Sequence, residues 1–284
     1  MYARAALSVV LIAIAMATWS AVLAGRASSF LHVYALNVGQ GDAIYIRTPN
    51  ASDVLIDGGP GGRIISELPR VMPPGDKHID AMILTHPHFD HVSGLERILE
   101  EYEVASIYTP TGMPAGELTD NFMRLARSET PDVRTLDAGD RLTFGDGVLF
   151  DVFLPSDAEF LRTTDNPNEW SIVGKLQYGN SALLLTGDME RREELLLMRS
   201  DAVLASDVLK VAHHGSAYAS ITGLLERIRP AIAVVSVGKN TYGHPSEDTL
   251  TRIARTGAEI LRTDEQGTVH LVSDGTRFWV EGQQ

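Results

Sequence analysis

Thr85-His86-Pro87-His88-Phe89-Asp90-His91 is the densest run of potential metal ligands in the chain. It follows a compact apolar run over residues 81–85 and precedes apolar residues at Val92, Leu95, Ile98 and Leu99, the spacing of a helix face. The pattern predicts a buried strand, a turn, then a helix over 91–103. Three imidazoles and one carboxylate fall within six residues, and neutral imidazole and carboxylate are ligands for Zn, Mn or Fe. At a strand end the alternate side chains His86 and His88 point the same way, while Asp90 and His91 turn toward a second position as the helix begins. The spacing suits two metal ions a few Å apart.

Outward from this motif the chain alternates short apolar runs with helical patterns. Upstream, strands are expected over 31–38, 43–47 and 54–57, with a glycine-rich loop at 58–62 and a short helix over 63–72 ended by Pro73-Pro74. Downstream, strands are expected over 105–108, 148–154, 171–178, 181–186, 208–212, 231–237, 269–272 and 277–280. Gly179-Asn180 is a two-residue hairpin signal. Helices are expected over 117–127, 190–198, 221–228 and 246–256. Both halves mix strands and helices without a linker or repeat, which predicts one α/β domain with two sheets inside and helices outside.

Composition narrows the function classes. The chain has 284 residues, net charge −13, 44% hydrophobic residues and no cysteine. Disulfides, a thiolate nucleophile and a cysteine zinc site are excluded, and bulk electrostatic coating of nucleic acid is disfavoured. Residues 5–25 carry no charge and lie between Arg4 and Arg26, long enough for a helix to cross a bilayer. The expectation is residues 1–28 as an uncleaved single-pass membrane anchor and 29–284 as an extracytoplasmic hydrolase domain. A signal peptide cleaved after Ala24, releasing a secreted domain, is the rival reading.

His86-Pro-His88-Phe-Asp90-His91 resembles the H-x-H-x-D-H signature of the metallo-β-lactamase superfamily. The segments 35–42 (ALNVGQGD), 54–60 (VLIDGGP), 185–188 (LTGD), 210–216 (KVAHHGS) and 236–245 (SVGKNTYGHP) follow in order. That set is similar to the metallo-β-lactamase-like domain of the ComEC/Rec2 DNA-uptake proteins. The resemblance implies a four-layer αββα sandwich after the N-terminal hydrophobic helix. It implies bound Zn, one or two ions, with Mn as the alternative. A ComEC-like channel partner would accompany such a domain, though the channel segments themselves are not in this sequence.

The resemblance also assigns roles. His86 and His88 form one metal position; Asp90, His91, Asp188 and a histidine of the His213-His214 pair form the other, with Asp188 bridging. Adjacent strand side chains point oppositely, so only one of the pair is expected to bind this metal; His213 is preferred, and His214 is left to contact substrate or support a ligand. Asp57 orients the histidines. His244 binds a substrate oxygen or protonates a leaving group. Ser216, Ser236, Asn240 and Tyr242 are candidate cleft residues, and Lys239 a candidate phosphate contact. Most of the superfamily add a histidine where residues 166–171 (NPNEWS) have none; the ComEC-type domain has Asn and Ser there, so Asn168 or water would complete that ion's shell. Cations so held make hydroxide available at neutral pH. The expected activity is a metal-dependent phosphodiesterase or nuclease, with Asp90 and His244 catalytic and single-stranded DNA as substrate. Hydrolysis of a phosphocholine ester, lactone or β-lactam, or a non-catalytic role in a DNA-uptake assembly, are the alternatives.

Overall fold

The computed structural model describes residues 8, 10–14, 16, 29–155 and 166–282. Its strands form two mixed sheets. The first has eight strands in the order β15 (Phe278–Val280), β14 (Val269–Ser273), β1 (Leu31–Ala35), β2 (Ile44–Arg47), β3 (Asp53–Ile56), β4 (His78–Ile83), β5 (Glu103–Pro110) and β6 (Val133–Leu136). The second has seven: β13 (Glu259–Arg262), β12 (Ile232–Val235), β11 (Val208–Lys210), β10 (Ser181–Leu185), β9 (Val173–Tyr178), β8 (Val148–Leu154) and β7 (Arg141–Thr143). Helices α1 (Phe89–Glu101) and α2 (Glu117–Glu129) flank the first sheet; α3 (Arg191–Arg199), α4 (Thr222–Ile228) and α5 (Glu247–Ala254) flank the second.

Alternation along the strands divides the apolar side chains into three layers. Val33, Ile46 and Ile83 of one sheet meet Phe150, Leu176 and Leu183 of the other in a central core. Leu55, Met82 and Ile107 face the opposite way and pack under Val92, Leu95 and Ile98 of α1 and Phe122 of α2. Leu184, Leu209 and Ala233 lie likewise under Leu197, Leu224 and Ile253. The result is helix, sheet, sheet, helix, the expected αββα arrangement. Strand β8 occupies the expected 148–154, and Gly179-Asn180 joins β9 to β10 with Tyr178 opposite Ser181.

Differences from expectation have local causes. The helix expected over 63–72 is split into Ile64–Glu67 and a 3-10 turn, Leu68–Arg70, because Pro69 has no N–H to continue an α-helical ladder. Strands β6, β7 and β13 were not expected. The single-pass membrane location expected from residues 5–25 is corrected: among the described residues no helix is long and apolar enough to cross a membrane. The described helical residues of that stretch are Ser8, residues 10–14 and Met16. The remainder of the stretch, including Ala24, lies outside the described residues.

Parallel pairing positions the site. Strands β3 to β6 pair in parallel, as do β10 to β13. Their carboxyl ends lead into Asp57, Thr85–His88, Asp188, His213–His214 and Ser236. Helix α1 approaches this edge closely through glycine: a Cβ on Gly94 would stand 1.9 Å from the Gly58 carbonyl oxygen. The Gly58 amide donates to the His91 carbonyl at 2.8 Å, which brings Asp57 beside the His91 ring.

Candidate metal centre

Asp188 is the hub. Its Oδ2 lies 3.3 Å from His91 Nε2, 3.3 Å from His214 Nε2, 3.8 Å from His213 Nε2 and 3.9 Å from His86 Nε2. His214 Nε2 is also 3.3 Å from Asp90 Oδ2. Donor atoms within 4.8 Å of one another form the groups His86–His91–Asp188, Asp90–His91–His214, Asp42–Asp188–His214 and Asp42–Asp57–His91.

The outer nitrogen of each key ring is committed. His91 Nδ1 donates to Asp57 Oδ2 at 2.8 Å, and His214 Nδ1 to the Ser236 carbonyl at 2.9 Å. Thr85 Oγ1 gives its one proton to Asp57 Oδ2 at 2.6 Å, so it accepts from His86 Nδ1 at 3.0 Å. All three rings therefore aim Nε2 at the Asp188 carboxylate. His91 Nε2, His214 Nε2 and Asp188 Oδ1 are buried without a hydrogen-bond partner. Several buried, unpaired polar atoms facing one point are costly. A divalent cation satisfies them together, and an imidazole–carboxylate set is its chemistry.

Electrostatics agree with a charged centre. Burial pushes the Asp188 carboxyl up, but the His214 and His91 imidazoles outweigh it and hold the group well below the usual carboxylate range. Burial, reinforced by the neighbouring His91, holds the His86 pKa well below that of an ordinary imidazole. For His91 and His214 burial acts downward too, yet Asp188, with Asp57 and Asp42 respectively, raises them well above an ordinary imidazole.

His86, Asp90, His91 and Asp188 come together. His214, rather than the favoured His213, joins Asp90 and His91. The alternation argument failed because β11 ends at Lys210 and the next turn is left-handed: His213 has φ 48° and His214 φ 53°. Both rings consequently face Asp188, the His214 ring fully buried and His213 partly exposed, with its Nδ1 3.3 Å from Glu190 Oε1. Two consecutive non-glycine residues in this region cost about 1–3 kcal/mol each, and such strain clusters at functional sites. His88 lies beside the groups, its Nδ1 3.1 Å from His86 Nε2.

Other candidates divide between support and cleft. Asn168 does not reach His86; its amide donates to Glu190 at 2.8 Å. Ser171 Oγ instead lies beside His86, 3.5 Å from its Nδ1, and accepts the Asp188 amide at 3.1 Å. Ser216 is buried and bonds the Tyr218 amide, away from the hub. Asn240 braces the 238–244 loop, donating to the Gly238 and His244 carbonyls and accepting the Tyr242 and His244 amides. His244 stands with Lys239 and Tyr242 on the wall of a cleft of about 710 Å³ over Asp188.

Sequence reasoning missed Asp42 and Lys210, both buried, whose Oδ2 and Nζ lie 2.7 Å apart; Asp42 Oδ1 is 3.4 Å from His214 Nδ1. Each falls inside a quoted motif, but nothing local in either motif signals their pairing.

The family model of the metallo-β-lactamase superfamily matches residues 36–239. The chain belongs to this superfamily. It is 30% identical over 252 residues to ComE operon protein 3 of Bacillus subtilis, covering 82% of this chain and 32% of that protein. It is 28% identical to Competence protein ComA of Neisseria gonorrhoeae, covering 83% and 31%. The chain thus spans about a third of the length of these curated relatives. The crystal structure of the metallo-β-lactamase fold protein YhfI from Bacillus subtilis superimposes with a TM-score of 0.55 at 12% identity, covering 84% of this chain and 98% of that one, a likeness of fold alone. The metallo-β-lactamase fold binds metal ions, and the His/Asp groups here suit that use.

Proposed function

We propose that this metallo-β-lactamase chain is a metal-dependent hydrolase of phosphodiesters, acting on single-stranded DNA. The observation that carries the hydrolase reading is the convergence of the unpaired His91 Nε2, His214 Nε2 and Asp188 Oδ1 beneath an open cleft. DNA as substrate is supported by the competence protein among its relatives. His86, His91 and Asp188 would hold one ion, and Asp90, His91 and His214 share its neighbourhood, so one or two ions fit; Zn is the first choice and Mn the second. Such a cation supplies Lewis acidity and a nucleophilic water at neutral pH.

The chain's own residues do the rest. Asp57 and Thr85 fix the His91 and His86 rings by their Nδ1–H groups, so neither must reorganise during the reaction. The Ser236 carbonyl does the same for His214. Asp90 stands at the first turn of α1 with one side open to the cleft. Lys239 offers a charge to a non-bridging phosphate oxygen. His244, its ring centroid 5.4 Å from that of His213, is placed to bind a substrate oxygen or protonate the leaving one.

The test is cleavage of end-labelled single-stranded DNA by the full chain with Zn or Mn, beside a chelator control and Asp90→Ala. Cleavage by the metal-loaded wild type alone is expected. Equal cleavage by Asp90→Ala would overturn the assignment of that carboxylate. Bound metal without cleavage would move the substrate to a small phosphodiester, lactone or β-lactam.

A further inference from the structure

Among the described residues the well-exposed aromatic side chains are Phe30, Phe89, Tyr218 and Tyr242. Phe89 is 57% exposed and Tyr242 75%, and both border the cleft over Asp188. Neither contributes to an apolar core. Phe89 opens α1 between His88 and Asp90; while His91 turns inward to the hub, the Phe89 ring stays in solvent. Tyr242 extends a file of rings leading outward from the centre. His213 and His244 meet at 5.4 Å with planes at 67°, and His244 and Tyr242 stack at 5.9 Å with planes at 27°. The loop carrying Tyr242 is not a free end, because the Asn240 side chain ties both its flanks.

Two aromatic rings thus face solvent at braced positions, on one cleft, beside a hydrolytic centre. A nucleobase presents a π-face that such a ring can cover, whatever its sequence. A base paired within a duplex already has both faces stacked, so an unpaired strand is what these rings can take. The acidic chain gives a polynucleotide little bulk attraction, which leaves stacking a larger share of the binding.

We propose that Phe89 and Tyr242 are nucleobase platforms that make the cleft selective for single-stranded DNA over duplex DNA and over phosphodiesters without bases. This rests on the phosphodiesterase reading above and specifies its substrate.

The test is fluorescence anisotropy on the chelator-treated full chain, which cannot turn the probes over. The probes are labelled oligothymidine of about twelve nucleotides, an abasic oligonucleotide of equal length, and a duplex. Oligothymidine should bind at least about fivefold more tightly than the abasic strand, the low end of aromatic stacking on one base. Phe89→Ala and Tyr242→Ala should each weaken oligothymidine by about fivefold or more and leave the abasic strand unchanged. Tyr242→Phe, which keeps the ring, should restore binding, and Phe30→Ala should change nothing. Equal affinity for oligothymidine and abasic strand, equal losses on both, or duplex bound as tightly as single strand would each overturn the platforms. Cleavage of both strands by metal-loaded protein separates the two claims. If both are cut with no preference, the platforms fail and the hydrolase reading stands; if neither is bound or cut, both fail.

Discussion

Lys210→Met tests how the site is wired into the fold. Lys210 and Asp42 are each 2% exposed, with Nζ and Oδ2 2.7 Å apart. The ammonium also donates to the Val211 carbonyl at 3.0 Å. Burial pushes the Asp42 carboxyl up, and Lys210 with His214 pulls it far below the usual range, so it is charged at neutral pH. Replacing the lysine leaves that charge buried beside His214, with Oδ1 already lacking a hydrogen bond. Removing one partner of a buried ion pair costs about 3–5 kcal/mol. At roughly 2–4 °C per kcal/mol for a chain of this size, Tm should fall by about 6–20 °C. The assay is thermal and urea unfolding of the chelator-treated protein at neutral pH, so that metal binding does not mask the loss. Asp42→Asn combined with Lys210→Met should be less destabilised than the sum of the single variants, because the orphaned charge is gone. A loss under about 1 kcal/mol for Lys210→Met, or strict additivity in the double variant, would refute the pairing argument.

Three further outcomes are expected. His214→Ala should lose bound metal whereas His213→Ala retains most of it, measured by elemental analysis after dialysis; the reverse result would make His213 the ligand. Asp57→Asn should weaken metal affinity by roughly 10–100-fold with the fold kept, since it removes the acceptor that orients His91; unchanged affinity in a competitive-chelator titration would show that the ring needs no such support. His270 is lowered to about 4 by burial and by His32. Its folded value lies below the unfolded 6.5, so its stabilisation is present above pH 6.5 and is lost as pH falls toward 4. His270→Phe, which keeps a ring stacked on Tyr34, should flatten the loss of stability over that window; an unchanged slope in urea unfolding would remove His270 from the acid response.

The layered architecture was legible because the buried strands and amphipathic helices carry their pattern locally. The three missed strands, β6, β7 and β13, are all at sheet edges. An edge strand need not be apolar on both faces, and Val133–Leu136 and Arg141–Thr143 show largely exposed side chains. The metal motif placed His86, Asp90 and His91 because a strand end and a helix start fix them within six residues. That both rings of the His213-His214 pair face Asp188 was not legible, because the left-handed turn that follows Lys210 puts non-glycine residues where sequence rules expect none. The Asp42–Lys210 pair was invisible for another reason: each residue reads as an ordinary polar position until the two sheets bring them together.

The proposed function requires that the Asp188-centred cluster hold a catalytic divalent cation. The most direct measurement titrates Zn or Mn into chelator-treated full chain, following metal occupancy by calorimetry and cleavage of labelled single-stranded DNA in the same samples. Cleavage should be absent in the stripped protein and rise in step with occupancy of the wild-type site, with neither seen in Asp188→Asn. Cleavage that persists in the stripped protein, or metal occupancy undiminished in Asp188→Asn, would contradict the account.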